Sequence, residues 1–271
     1  FMSQTQVEVF FNHLVDHSEI PGYVLKSLCK ECKKPPSDEL IANEVLSKHK
    51  LLYNPKISFF EYNGKFWERK PNEAIEKYIK EELGPYVTGQ KLASVSRIIK
   101  AAVVTEQLFN MKPILNLING AIEITESEPF YIFREHREND YCTYCLSYPY
   151  VPGAISQDWL DFIESVTDSD EKRQAFLQEF AGYILYPDNR IHKCAALIGE
   201  GANGKSIYFN ALANLFGKQN VSRITVTNLA QDFQAINLLG AMLNISSENK
   251  TEFYGAEETF KQVVSGDDIS A

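Results

Sequence analysis

Apolar residues recur at helical spacing along much of the first 190 positions. Val7, Phe10, Phe11 and Leu14 mark one face of a first helix, and Val24, Leu25 and Leu28 mark a second that stops before Pro35-Pro36. Leu40, Ile41, Val45 and Leu46 predict a third, capped by Ser37 or Asp38. The pattern then changes period. Ile57 to Tyr62 and Lys65 to Arg69 flank Asn63-Gly64, the dipeptide that supplies the positive φ angles of a type I′ hairpin turn. Pro71 opens a helix carrying Ala74, Ile75, Tyr78, Ile79 and Leu83, which ends near Gly84-Pro85. Gln90 to Asn110 predicts a longer helix with Leu92, Val95, Ile98, Ile99 and Val103 inward. A second hairpin is expected from Ile114 to Ile124 around Asn119-Gly120, with extended pieces at Phe130 to Phe133 and Tyr141 to Tyr150.

Ser156 caps a helix bearing Trp159, Leu160, Phe162 and Ile163, and Asp168 with Glu171 predicts a capping box for the next, which buries Phe176, Leu177, Phe180 and Ile184. The turn Pro187-Asp188-Asn189 then delivers the chain to Lys193 to Ile198, a predicted core strand. A helix follows from Ile207 to Phe216, with Gly217 at its end. Val221 to Val226 and Ala241 to Ile245 are two further strand candidates. The expected segments are 1–70, helical with a hairpin; 71–187, helical or α+β; and 188–271, a nucleotide-binding α/β domain. The fold class is α/β overall, with a mostly helical α+β part first.

Between the predicted strand and helix stands Gly199-x-x-x-x-Gly204-Lys205-Ser206. This spacing in a strand–loop–helix context is a phosphate-binding loop. Glycines let the backbone wrap a phosphate with its N–H groups inward, and the helix that starts there adds the positive end of its dipole. Lys205 reaches the β and γ phosphates, and Ser206 ligates Mg²⁺. Glu248, past the Ala241–Ile245 strand, stands where NTPases place the acid that orders the metal and the attacking water. The nearby Lys250, Glu252, Glu257 and Glu258 read as solvated charges.

Composition narrows the partners. The 271 residues are 44% hydrophobic, with a net charge of −9 and a pI near 5.2. That excludes a protein coating duplex DNA through a broad basic face, but leaves room for a motor whose channel needs few basic groups. There is no apolar run long enough to span a membrane and no signal-peptide core, so a cytoplasmic protein is expected. The five cysteines fall as Cys29-x-x-Cys32, Cys142-x-x-Cys145 and Cys194, either a zinc site or small structural thiols. Lys30, Lys33 and Lys34 form a basic cluster that reads as a solvated helix end or a partner contact. Tyr62, Phe66 and Trp67 on the first hairpin read as packing or as base-stacking groups.

Gly199-x-x-x-Asn203-Gly204-Lys205-Ser206 resembles the P-loop variant of superfamily 3 helicases, most of all the phage and plasmid primase–helicase family related to the poxvirus helicase-primase. The likeness extends upstream. Leu117-Ile118-Asn119-Gly120 is similar to the family's "NG" turn, Trp159-Leu160-Asp161-Phe162 to its tryptophan helix, and Phe180-Ala181-Gly182-Tyr183 to its "GY" segment. Downstream, Asn244-Ile245-Ser246-Ser247-Glu248 resembles the second ATPase motif and Val264-Ser265-Gly266-Asp267 the "SGD" segment. The resemblance spans about residues 70 to 271. It implies an ATP-driven DNA helicase that works as a homo-oligomeric ring, usually a hexamer, in replication of a mobile element, with the helical part as a collar or platform for a primase.

Carried over by position, Lys205 and Glu248 are catalytic and Ser206 and Glu248 hold Mg²⁺. Gly199, Gly201, Ala202, Asn203, Gly204, Lys205 and Ser206 hold the ATP. Ser247 stands where many members have an acid. The family's DNA-contacting hairpin, sensor residue and arginine finger are expected beyond Ala271. The ATPase domain is therefore read as truncated and AAA+-like, and turnover by this chain alone is expected to be slow. The alternatives are a P-loop ATPase acting as initiator or loader, and a nucleotide-binding, primase-docking module that does not unwind DNA.

Overall fold

The structure is a computed structural model that describes residues 36–186, 189–201, 203–229, 231, 234–238, 240–246 and 255–267. The first two predicted helices, the Lys30–Lys34 cluster, Cys29, Cys32, Ala202, Ser247 and Glu248 lie outside the described residues. Contacts group the chain into two units, residues 1–62 with 68–107, and residues 63–67 with 108–271, so the expected boundaries at 70 and 187 do not coincide with them.

The first unit packs three helices with a three-stranded sheet. Its helices are α1 (Asp38–Lys48), α2 (Asn72–Leu83) and α3 (Gly89–Ala102). Its strands are β1 (Leu51–Asn54), β2 (Ser58–Tyr62) and β3 (Trp67–Lys70), in the order β1-β2-β3. Ser37 caps α1 by accepting from Leu40 N, and Thr88 caps α3 by accepting from Lys91 N. Helical spacing puts Ile41 and Val45, Ile75, Ile79 and Leu83, and Val95 and Ile99 on the inward faces, where they close one core over Leu51 and Phe59.

The third helix is shorter than its apolar pattern predicts. It ends at Val103 because the chain there leaves the helix to pair with β1: Tyr53 N donates to Val103 O at 2.8 Å and Thr105 N donates to Tyr53 O at 2.9 Å. Sheet edge pairing wins over about two more helical turns.

A polar cluster sits beside this core. His49 Nδ1 lies 2.7 Å from Glu61 Oε1, Tyr78 donates to Glu61 Oε2 at 2.9 Å, and the His49 ring stacks on Tyr78 at 3.7 Å. Burial pushes the Glu61 carboxyl up, but the hydrogen bonds from His49 and Tyr78 and the nearby Lys70 outweigh it, so its pKa ends below the ordinary value. A carboxylate with a depressed folded pKa adds stability that is complete above its unfolded pKa and is lost as pH falls through the folded one. Stability of the wild type is therefore expected to fall on acidification below about pH 4.5 more steeply than that of Glu61→Gln. Urea titrations across that range, compared between the two proteins, check this; equal slopes would remove Glu61 from the account.

In the second unit, β4 (Ile114–Leu117), β5 (Gly120–Ile124) and β6 (Tyr131–Arg134) form an antiparallel sheet in that order. The tight turn falls one residue earlier than predicted, on Ile118-Asn119, with Leu117 paired to Gly120, the first residue of β5, and glycine is required at that position. A Cβ on it would lie 2.6 Å from Arg134 O and 2.8 Å from the Phe133 ring. The segment 141–150 forms no regular strand; it makes a single bridge, Leu146 to Leu117. Asparagine side chains hold it instead. Asn110 Oδ1 accepts from Thr143 N (2.8 Å), buried Asn116 donates to Tyr144 O (2.8 Å), and Asn119 exchanges two bonds with the Tyr150 backbone (2.8 and 3.0 Å).

The rest of this unit is built around helices α4 (Gln157–Val166), α5 (Glu171–Leu185) and α6 (Lys205–Phe216). Ser156 caps α4 as predicted. The capping box at Asp168 does not form. Asp168 and Ser169 have positive φ, and Asp170 is the cap, accepting from Lys172 N and Arg173 N. The two-residue strands β7 (Val221–Ser222) and β8 (Leu243–Asn244) pair in parallel. Between and after them come the short helix α7 (Val226–Leu229) and α8 (Glu257–Ser265). Among the described residues, no helix is long and apolar enough to cross a membrane.

Candidate functional site

The segment entering the glycine loop corrects the expectation of a paired core strand. Residues 192–200 form no strand, and Ile198 is 95% exposed. Burial nevertheless alternates there: Ala195 and Leu197 are half-buried while Ala196 and Ile198 are exposed. Leu197 rests against the Ile163–Tyr208–Leu212 cluster. The period of two is a strand's, but no neighbour among the described residues supplies the ladder that makes a strand.

The helix after the loop is firmly seated. Ile163 of α4, Leu177, Ala181 and Ile184 of α5, and Tyr208 and Leu212 of α6 share one core. Trp159 stacks near Tyr208 at 6.0 Å, and Tyr208 donates to Leu177 O at 2.8 Å. Burial raises the Tyr208 pKa to about 12, so the hydroxyl remains a donor. The tryptophan and "GY" helices are thus the platform on which the loop's helix stands.

Gly204 occupies the N-cap of α6 with φ 80°, a left-handed conformation that favours glycine, and a Cβ would sit 2.5 Å from Val166 Cγ1. No side chain caps this helix, so its first N–H groups are left to an incoming acceptor. Lys205 begins the helix and turns back over the loop. Its ammonium donates to Gly199 O (2.8 Å), Glu200 O (2.7 Å) and Asn203 Oδ1 (2.6 Å). Ser206 is exposed on the first turn, and Gly199 and Gly201 are exposed in the loop. The structure therefore brings Gly199, Asn203, Gly204, Lys205 and Ser206 to one helix end. Gly201 lies in the same loop, whereas Ala202 and Glu248 fall outside the described residues.

Behind the loop helix, the Asn244 carboxamide extends the β7–β8 pair. Asn244 Oδ1 accepts from Ser222 Oγ (2.8 Å) and Ile224 N (2.9 Å), while Nδ2 donates to Ile224 O (3.0 Å). This is why the predicted strand Val221–Val226 is only two residues long: a side chain replaces the next rung. Sequence reading also missed Asn189. It donates to Val263 O (3.3 Å) and Val264 O (3.1 Å), capping the carbonyl end of α8 at the "SGD" segment from the stretch that enters the loop. Its only signal was its place in a Pro-Asp-Asn turn.

Among the described residues, no cluster of His, Cys, Asp and Glu could hold a metal. Cys142 is buried, and burial raises its pKa to about 12; burial also raises that of Cys145. Both are thiols at neutral pH, while Cys194 is exposed. Iodoacetamide at pH 8 is expected to label Cys194 ahead of Cys145, and Cys142 only on unfolding, read by peptide mass spectrometry. Early labelling of Cys142 would contradict its burial.

Taken together, the described chain is a mixed α/β protein with an uncapped, glycine-led helix end fit for an anion. The profile of a family described as "D5 N terminal like" matches residues 39–168. That region is similar to the N-terminal region of phage and viral primase–helicases. The profile of a family of unknown function (DUF5906) matches residues 197–271. No curated protein matches the chain.

Proposed function

We propose that the chain is the platform and the start of the motor of an ATP-dependent DNA helicase serving replication of a phage, plasmid or other mobile element. The observation that carries this reading is the loop Gly199–Ser206, opening an uncapped helix with Gly204 in a left-handed conformation. A triphosphate fits the residues present. The helix end lacks an acceptor, Gly204 leaves no room for a Cβ, and Lys205 already gathers three oxygen acceptors at the loop. In this reading the loop backbone from Gly199 to Gly204 and the Lys205 ammonium hold the phosphates. The Ser206 hydroxyl and Glu248 hold Mg²⁺, and Glu248 polarises the attacking water. The ring assembly and DNA contacts of such a machine belong to the same proposal, as does a primase partner. Calorimetric titration with ATP, with and without Mg²⁺, tests the nucleotide site. Forked-DNA unwinding by the complete encoded protein tests the activity. Binding without unwinding would move the reading to an initiator, loader or docking module.

A further inference from the structure

The sheet of the second unit ends on an edge that ordinary edge strands avoid. β6 is the last strand, yet Phe130, Tyr131, Ile132 and Phe133 are 61%, 53%, 45% and 40% exposed. Native edges are normally blunted by charge, proline or a covering element, so four exposed apolar residues in a row mark a pairing site. Tyr150 supports one face, packing on Phe133 at 5.1 Å and donating to Tyr131 Oη at 3.1 Å.

Hydrogen-bond parity shows which backbone groups are available. Thr125 N donates to Phe130 O at 3.0 Å, and the register pairs Ile124 with Tyr131 and Glu123 with Ile132. Antiparallel pairs alternate between bonded and non-bonded, so Phe130, Ile132 and Arg134 turn their N–H and C=O toward β5. Those of Tyr131 and Phe133 point away, and among the described residues neither has a backbone partner.

We propose that β6 is a homotypic docking edge: two copies of this chain pair through it, antiparallel, about a two-fold axis at Ile132. Parity and sequence select that arrangement. Tyr131 and Phe133 then exchange backbone hydrogen bonds with Phe133 and Tyr131 of the other copy. An aromatic faces an aromatic, Phe130 faces Arg134, and Ile132 faces its own counterpart. The flanks agree. Glu126 and Glu128 precede the strand and the exposed Arg137 follows it, so antiparallel pairing brings acid toward base where parallel pairing would align like charges. A nucleic acid is disfavoured on this edge, because Glu123, Glu126, Glu128 and Glu135 surround it. The inference does not depend on the nucleotide site.

Ile132 tests it cleanly, because it is exposed and outside the hydrophobic clusters. Light scattering is expected to show a concentration-dependent dimer for the wild type. Ile132→Lys should weaken it by about tenfold or more, by opposing two ammonium groups. Mixing Ile132→Lys with Ile132→Glu chains should restore it, with unchanged circular dichroism throughout. In a Cys194→Ser background, Ile132→Cys should cross-link on oxidation, since directly opposed non-bonded pairs lie about 4.5 Å apart. Phe130→Cys should not. A wild type that stays monomeric at its highest soluble concentration overturns the proposal. So does a dimer indifferent to Ile132→Lys, or cross-linking of Ile132→Cys no greater than its parent.

Discussion

Lys205→Ala is expected to cut the stabilisation that Mg²⁺-ATP gives the wild type by about half or more. A nucleotide at about 100 times its dissociation constant adds about 2.7 kcal/mol. In a chain of this size that raises the melting midpoint by roughly 5–11 °C. The ammonium makes charge-assisted contacts worth about 1.5–3 kcal/mol each, so its removal should weaken binding by about tenfold to a hundredfold. The structure adds a refinement. Lys205 is not idle without nucleotide: it bridges Gly199 O, Glu200 O and Asn203 Oδ1. A phosphate must draw it off at least some of these acceptors, so measured affinity is a difference between two bound states of one ammonium. Asn203→Ala removes one competing acceptor and one loop contact together. Thermal melts of wild type and Lys205→Ala, each with and without Mg²⁺-ATP, decide the matter. Equal nucleotide stabilisation in both would sink the phosphate role. Without nucleotide the two midpoints should nearly coincide, because every partner of Lys205 is exposed loop.

Periodic packing was legible in the sequence, and substitution of one kind of hydrogen bond for another was not. The helices at 38–48, 72–83 and 157–166 stand where apolar spacing puts them, and that at 171–185 takes its cap two residues past the predicted one. Both hairpins form, but neither Asn63 nor Asn119 takes the positive φ of a type I′ turn. Other errors share one cause. At Val103, at 141–150 and at Ser222–Ile224 the backbone is satisfied by a remote strand edge or by an asparagine carboxamide. No local pattern announces which of many asparagines will do this. The stretch entering the loop fails differently. Its apolar run Ala195–Ile198 is visible in the chain, but strand formation depends on neighbours that residues 193–198 do not specify.

The candidate site was legible at its centre because the glycine-loop spacing encodes a backbone shape. Gly204 takes the left-handed conformation the spacing demands, and Lys205 and Ser206 follow on the first turn. What surrounds it was only partly readable. The Trp159 and Tyr183 segments were marked by resemblance, whereas their physical task, a floor under Tyr208 and Leu212, comes from packing between helices distant in sequence. Asn189, joining the loop's entry to the end of α8, carried no chemical signature at all.

Asp140→Ala is expected to cost about 3–5 kcal/mol, because it removes two charge-assisted hydrogen bonds, about 1.5–3 kcal/mol each, from a largely buried guanidinium that retains Glu123. Arg134 on β6 grips both Asp140 oxygens at 2.8 Å, and its Nε donates to Glu123 at 2.7 Å. The side chains of Arg134 and Asp140 are only 10% and 8% exposed. The hydrogen bonds that Arg134 donates to Asp140 lead the forces that hold it charged. The pair does more than join two charges. Asp140 leads into Tyr141-Cys142, where Cys142 O accepts from Trp67 N at 2.8 Å, and the Trp67 indole donates to Glu138 O at 2.8 Å. One ion pair therefore ties the exposed edge strand to the segment that seats Trp67. Loss of Asp140 should loosen both, shifting the melting midpoint down by roughly 6–20 °C and raising hydrogen exchange at Trp67 and along β5–β6. Arg134→Leu strands the buried Asp140 carboxylate, whereas Asp140→Ala leaves Arg134 paired with Glu123, so Arg134→Leu should cost at least as much. If urea denaturation ranks the two in the opposite order, the pair's geometric grip rather than the stranded charge sets the cost.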